Sequence, residues 1–217
     1  MKNNPFVTPF DSLPETLPIF PLPGALVMPG AELPLNIFEP RYLNMVNDAL
    51  GSQRMIGMIQ PDPAADNDIE ICRTGCAGRI TQYRETSDCR VEMVLSGVCR
   101  FDVVEELSTT RGYRLVVPDW SRFADDYLDH DDLPERRHLQ LVESLKRFFD
   151  TKGYEADMAM LERLPTARLV DSLTMALPFT NREKQMLLET VDAGARLDSF
   201  VALVNGEFEV PDSVTRH

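Results

Sequence analysis

The strongest constraint in this sequence is an alternation. From Val91 to Val103 the odd positions read Val91, Met93, Leu95, Gly97, Cys99, Phe101 and Val103, while the even positions include Glu92, Ser96, Arg100 and Asp102. Successive side chains of a strand point to opposite faces, so this period of two predicts a long half-buried strand, or two strands with a bend at Ser96-Gly97. Its even-numbered charges are expected to face water. "AGRITQY" (77–83) and "YRLVVP" (113–118) supply shorter partners. Several short strands with frequent turns suggest a barrel or a sandwich.

Upstream, "LPIFPLPGALVMPGAELPLNIF" (17–38) is apolar but broken by prolines. Proline has no N–H to give to a ladder and interrupts helices, so two short strands, 17–20 and 32–38, fit better than one central strand. A helix follows. Pro40 suits a first helical position, Tyr42, Met45, Val46 and Ala49 share one face, and Gly51 offers a C′ stop. "RMIGMIQP" (54–61) reads as another strand. Residues 1–16, with three prolines and no periodicity, read as an extended arm.

The pattern changes near residue 124. "ADDYLDHDDLPE" holds six acids and reads as a solvated lead-in. Beyond it the period is helical. "RRHLQLVESLKRFFDTKG" (136–153) ends in Lys152-Gly153, a C-cap signal, and 155–163 suits a short helix. Thr166 is placed to cap a helix with Leu169, Leu173, Ala176 and Leu177 on one face. Thr180 and Glu183 form a capping box, and Asp192 can cap a last helix burying Leu197, Phe200, Val201 and Val204. The organisation expected is an arm (1–16), a β-rich unit with one early helix (17–123), a helical bundle (124–205) and a tail (206–217). The fold class is α+β.

Chemistry is sparse. No Gly-Lys pair, G-x-G-x-x-G, H-E-x-x-H or G-x-S-x-G occurs, which removes the common nucleotide, zinc-protease and hydrolase signatures. Cys72, Cys76, Cys89 and Cys99 lack the paired spacing of a zinc site, so they read as free thiols, with Cys99 in the inward row of its strand. His130, His138 and His217 stand beside no nucleophile in the sequence. Asp125, Asp126, Asp129, Asp131 and Asp132 lack the glycine and distal glutamate of a calcium loop and read as a solvated cluster. Lys146, Lys152 and Lys184 lie among charged neighbours, not in apolar surroundings. No catalytic residue, metal or cofactor is expected.

The charge is −13, with 22 Lys+Arg against 35 Asp+Glu. Residues 1–123 alone carry 11 basic and 16 acidic side chains, net −5. That half is not a basic platform, so Arg73, Arg79, Arg84, Arg90 and Arg100 read as ordinary exposed strand arginines and nucleic acid is a disfavoured partner. No apolar run suits a bilayer and no leader is evident, so a cytoplasmic protein with reduced thiols is expected.

The joint at Phe38, Glu39, Arg41 and Tyr42 is where a resemblance enters. "LPIFPLPGALVMPGAELPLNIFEPRYLNMV" resembles the opening of the Lon-protease substrate-binding domain. "RMIGMIQP", "TGCAGRITQY" and "VLSGVCRFDV", with Gly97, Arg100 and Phe101 in the matching places, are similar to the strands that follow there. "LPFTNREKQMLLETVDAGARLDSF" resembles its helical end. The resemblance implies a PUA-like pseudo-barrel followed by an all-α bundle, in a free-standing form, because the family's ATPase and Ser-Lys peptidase segments have no counterpart in these residues. It also implies a non-catalytic module that captures unfolded or hydrophobic polypeptide on exposed Met, Phe or Leu, with self-association as a further possibility. The alternatives are an enzyme or small-molecule binder using the cleft between barrel and bundle, and RNA binding by the barrel. Phe38, Glu39, Arg41 and Tyr42 are the candidate binding residues, with a structural corner as the competing reading. In that corner Glu39 meets the positive end of the helix and Arg41 pairs with an acid or a barrel carbonyl.

Overall fold

A computed structural model describes residues 8–65, 70–127 and 133–206. The N-terminal seven residues, His130, Asp129, Asp131, Asp132, and the tail from 207 with His217 lie outside the described residues. The chain forms β1 (Leu17–Pro21), β2 (Glu32–Ile37), α1 (Pro40–Leu50), β3 (Met55–Ile59), β4 (Thr74–Glu85), β5 (Val91–Leu107) and β6 (Arg114–Asp119). Two short 3-10 turns kinked at Phe123 occupy Ser121–Tyr127. Then come α2 (Glu135–Lys152), α3 (Met158–Leu161), α4 (Thr166–Ala176), α5 (Asn181–Glu189) and α6 (Ala193–Asn205).

The long alternating run becomes the backbone of the sheet. β5 pairs with β2 through Val91–Ser96 and with β6 through Asp102–Leu107, while β4 runs antiparallel along most of its length. The strand order β2-β5-β4-β3-β1-β6 therefore closes on itself through β5–β6. β1 and β3 are parallel, and the other pairings are antiparallel. β2 stands outside the closed ring as an edge strand. Its Pro34 has no N–H, which an edge tolerates. Every strand of the ring supplies a residue to one apolar cluster, including Leu17, Ile19, Ile59, Ala77, Phe101 and Val116, so this cluster fills the interior. Gly57 makes room there, since a Cβ would meet the Phe101 ring at 2.8 Å. The opposite face of β1, β3 and β4 packs under α1 and the 22–31 loop, with Phe20, Met28, Tyr42, Met45, Ile56 and Met58 buried together. Burial on both faces explains why β3 reads as an unbroken apolar run.

The predicted bend in β5 is present. A register shift leaves Val98 unpaired opposite β4 between Gly97 and Cys99, a β-bulge. Gly97 exchanges hydrogen bonds with Gly30 N and Ala31 O, each 2.8 Å, and a Cβ on it would sit 2.0 Å from the Met28 carbonyl. Backbone approaches backbone there, so only glycine fits.

Local signals decide the helix ends. Pro40 opens α1 as expected, and all four of its predicted face residues are buried. Gly51 does not take the left-handed conformation (φ −76°); the reversal falls three residues later, on Arg54 (φ 59°). Gly153 does adopt it (φ 70°) after α2. The Thr180–Glu183 capping box forms in both directions, and Asp192 caps Ala195. Thr166 is the first residue of α4 and not its cap; its hydroxyl meets His138 Nδ1 at 3.1 Å instead. Leu169, Leu173 and Leu177 are buried in the second core with Leu141, Leu187, Leu197 and Phe200, whereas Ala176 is exposed.

Candidate functional site

The corner after β2 splits the four candidate residues. Glu39 is the N-cap of α1 with extended backbone (φ −72°, ψ 132°), but its carboxylate makes no cap. It accepts from Arg41 Nε at 3.0 Å and lies 2.9 Å from Arg41 Nη2. Arg41 in turn lies 4.5 Å over the Tyr42 ring. Tyr42 belongs to the core. Its ring packs 4.2 Å from Phe20, and burial raises its phenol above the ordinary tyrosine range. Phe38 points outward with 60% of its surface exposed, and its ring meets the Arg90 guanidinium at 5.5 Å.

The rest of α1 is fixed to the β5–β6 connection. Asp48 accepts from Arg111 at 2.9 and 2.8 Å and from the Tyr113 hydroxyl at 2.9 Å. Arg111 holds that carboxyl below its ordinary range. Tyr83, 41% exposed, lies at the Phe38 end of the sheet, in the rung Leu35–Met93–Tyr83, two residues from the rung Ile37–Val91–Glu85. A shallow groove of mixed lining, with Pro34, Leu35, Tyr83 and Val94 beside Asn36, Gln82 and the Arg84–Glu92 ion pair, crosses β2, β5 and β4 at this point.

The seam between barrel and bundle differs most from expectation. Arg100 and Asp102, even-numbered residues of β5, are buried at 1% and 4% exposure. The face that alternation assigns to water is covered by the Ser121–Tyr127 segment and the end of α5. Arg100 clasps the Asp126 carboxylate through Nε and Nη2, at 3.1 and 2.6 Å, while its backbone N–H donates to the same group at 2.8 Å. Asp126, expected in a solvated cluster, is therefore a buried partner. Arg100 Nη1 also donates to the carbonyls of Leu188 (3.0 Å) and Thr190 (2.7 Å). Arg122 reaches the Glu189 carbonyl at 2.9 Å, and Arg196 shares the Thr190 carbonyl at 2.8 Å. A helix leaves its last carbonyls without intrahelical partners and carries negative potential there. Three arginines, from β5, the 3-10 segment and α6, grip that end of α5.

Other seam groups are also bonded across it. Gln60, fully buried, donates to the Asn181 carbonyl and to Gln185 Oε1 at 3.1 and 3.0 Å. Gln185 donates to the Thr74 carbonyl, and Arg168 donates to the Pro29 carbonyl. Lys184, expected among charged neighbours on a surface helix, is 8% exposed and bonds the carbonyls of Gly24 and Met175. Burial draws its ammonium below the ordinary lysine range. Asp171 and Arg196 form a second buried pair at 3.1 Å. Asp171 Oδ1 has no well-aligned hydrogen bond, and burial raises that carboxyl above its ordinary value.

Sequence reasoning missed Arg100, Asp126 and Lys184 as buried groups. The one signal was the place of Arg100 between Gly97 and Phe101 in the resemblance. Cys72, Cys76 and Cys99 are buried free thiols and Cys89 is exposed. Burial pushes Cys72 and Cys99 up to about 12, which keeps them protonated and unreactive. Met28, Met45, Met55, Met58 and Met93 are core residues, and Met160 is the exposed methionine among the described residues. Among the described residues methionine mostly fills gaps in the core. Among the described residues no three His, Cys, Asp or Glu side chains cluster as metal ligands, and no helix is long and apolar enough to cross a membrane.

Comparison with known proteins agrees with this architecture. Lon protease of Dictyoglomus thermophilum is 26% identical over 91% of this chain, and Lon protease 2 of Myxococcus xanthus is 24% identical over 92%. The chain spans about a quarter of the length of these relatives, 25% and 24%. Among solved structures, a Lon N-terminal domain protein from Xanthomonas campestris superposes with a TM-score of 0.65 at 25% identity, covering 86% of this chain and 97% of that one. The N-terminal domain of a Mycobacterium avium complex Lon protease gives 0.66 at 17% identity, covering 89% and 100%. The model of the ATP-dependent protease La (LON) substrate-binding domain matches residues 16–206, and the chain belongs to that family.

Proposed function

We propose that this chain is a non-catalytic polypeptide-binding module that holds unfolded or hydrophobic segments at the Phe38 corner and the groove beside it. The observation that carries this reading is Phe38, a large apolar side chain left 60% exposed at the end of an edge strand, near a shallow groove of mixed apolar and polar lining flanked by Tyr83. An aromatic anchor next to a shallow, partly apolar trough is what a client's apolar side chains need, and family membership makes a protein substrate the natural partner. Glu39 and Arg41 neutralise each other at the rim, and Tyr42 supports the corner from below. The reading needs no cofactor and places the module in the cytoplasm. Two copies meeting at Phe38 would hide the same surface, so self-association competes with client binding.

The cleft reading of an enzyme is weaker. Among the described residues most of the seam's polar groups bond to one another, and the two exceptions, the Tyr127 hydroxyl and Asp171 Oδ1, are buried away from solvent. The strand arginines bear on RNA in the same way: Arg84, Arg90 and Arg100 each pair with an acid.

The test is fluorescence anisotropy with labelled apolar peptides and a reduced, unfolded client. Phe38→Ser with Tyr83→Ser should weaken binding at least tenfold while leaving circular dichroism unchanged. Undiminished binding would move the site elsewhere, and no binding by the wild type would end the functional reading.

A further inference from the structure

The arm that precedes β1 is held to the barrel as a bound peptide is held. Its described part, residues 8–16, belongs to no strand; ladder pairing starts at Leu17. The Ser12 and Leu13 N–H groups donate back to the Pro9 and Phe10 carbonyls, closing a single 3-10 turn at Phe10–Ser12. Side chains make the anchors to the body. Arg79 of β4 donates to the Thr8 hydroxyl at 3.1 Å. The Phe10 ring stands edge-on to Tyr127, with 5.5 Å between centroids. Leu13 packs on the apolar cluster that fills the barrel. The Trp120 indole N–H donates to the Pro14 carbonyl at 3.2 Å.

The anchors have a pattern. Phe10, Leu13 and Pro14 face the barrel end, while Asp11, Ser12, Glu15 and Thr16 face water, and Pro14 alone of residues 8–16 is buried. Apolar side chains in separate contacts, with a carbonyl bonded between them, are how a peptide is read. The seat is built from rigid parts. Trp120 leans edge-on against Phe101, 5.6 Å away, and Tyr127 closes the 3-10 segment that carries Asp126. The Tyr127 hydroxyl is buried with no hydrogen-bond partner, so the arm leaves a polar group of its own seat unused. A segment with one buried residue and no ladder opens locally far more readily than the barrel beneath it.

We propose that the barrel end formed by Arg79, Trp120 and Tyr127 is a second polypeptide site, for segments that present Phe and, three residues on, Leu-Pro, and that the arm is its resident ligand in cis. A client segment of that pattern takes the seat when the arm lifts, so the arm regulates access. This site presupposes that the chain binds polypeptide, as proposed above, and is separate from the Phe38 corner. A short tether presents its own end at roughly millimolar effective concentration. With the arm seated about ten times as often as not, the same segment added free binds an empty seat with a Kd of about 0.1 mM and wild type about tenfold more weakly.

Trp120 is the sole tryptophan of the chain, so its fluorescence reports the seat. In the full chain, Phe10→Ser with Leu13→Ser should raise acrylamide quenching of Trp120 severalfold while circular dichroism stays unchanged. Phe10→Ser alone, at a half-buried position, gives the same readout at less risk to folding. An end-capped peptide of residues 8–16, Thr-Pro-Phe-Asp-Ser-Leu-Pro-Glu-Thr, should restore the protection, and the same peptide with Ser at both apolar positions should not. By anisotropy the labelled peptide should bind the released variant about tenfold more tightly than wild type, and Tyr127→Ala in the released variant should weaken it severalfold. Phe38→Ser should change none of these readings. Quenching that does not rise on release, protection that the peptide does not restore, or equal binding of the Ser peptide would overturn the proposal. Any of these with client binding intact at the Phe38 corner would strike this seat alone. A wild-type dimer in sedimentation that Phe10→Ser with Leu13→Ser dissociates would assign the seat to a second copy's arm and overturn the client assignment.

Discussion

Replacing Arg100 by Met keeps an unbranched apolar stem and removes the guanidinium and its charge. Asp126, whose side chain is 2% exposed, then loses the guanidinium that bonds both its oxygens. The Leu188 and Thr190 carbonyls lose a donor as well. Breaking a buried pair by deleting one member strands the other charge in low dielectric, which costs about 3–5 kcal/mol. With domain stabilities of about 5–15 kcal/mol, this is a large fraction of the whole. Urea unfolding followed by far-ultraviolet circular dichroism reads it directly. At a slope of about 2 kcal/mol per molar the midpoint should fall by roughly 2 M. The decisive comparison is Arg100→Met with Asp126→Leu. Removing both charges eliminates the stranded carboxylate, so the double variant should regain about 2 kcal/mol over Arg100→Met, short of wild type because each orphaned carbonyl still costs about 1–3 kcal/mol. A single variant within about 1 kcal/mol of wild type, or a double no better than the single, would refute the assignment of Arg100 and Asp126 as the clamp.

Gly97→Ala should destabilise by at least about 1–3 kcal/mol, since the added methyl meets the Met28 carbonyl and not a movable side chain; a thermal midpoint unchanged from wild type would contradict the close approach. Lys184 gives a pH signature. Its folded-state pKa lies below the ordinary lysine value, so the folded chain holds fewer protons than the unfolded one between those two values and gains stability as pH rises through that window. Urea midpoints at pH 7, 9 and 10.5 should favour wild type progressively over Lys184→Met, and a flat difference would reject the desolvation. In the native protein a thiol reagent should modify Cys89 rapidly and leave Cys72, Cys76 and Cys99 untouched until denaturant is added; mass spectrometry of the labelled peptides checks it. Thr180→Ala removes the hydroxyl that accepts from the Glu183 N–H, one half of a capping box, and should lower stability by about 1 kcal/mol in the same urea assay.

The elements with local causes were legible. α1 shows its face in Tyr42, Met45, Val46 and Ala49, and α5 announces its start in Thr180 and Glu183. The Val91–Val103 alternation marks the strand on which the barrel closes. The charged seam was not legible, because its partners are distant in sequence: Arg100 finds Asp126 26 residues on and Leu188 88 residues on. Alternation reports which side of a strand is apolar. It does not report that a helix end will cover the other side, and there an arginine looks like any solvent-facing residue. Lys184 misled for the same reason, its neighbours in sequence being charged while its neighbours in space are backbone carbonyls. At the Phe38 corner the helical face marked Tyr42 for the core, but nothing in the sequence told that Phe38, an apolar residue at the end of a strand, would be left in water.

The edge strand carries a consequence if the module holds unfolded chains as proposed. A protein that holds unfolded chains beside an open strand risks seeding their aggregation, because each unpaired edge invites another extended chain to add on. β2 is short, and its third residue is Pro34, which has no N–H to offer a growing ladder. An extended client that strays onto this edge finds an interrupted template and does not build upon it. By the same chemistry Pro34 interrupts any ladder that a neighbouring copy could add along β2.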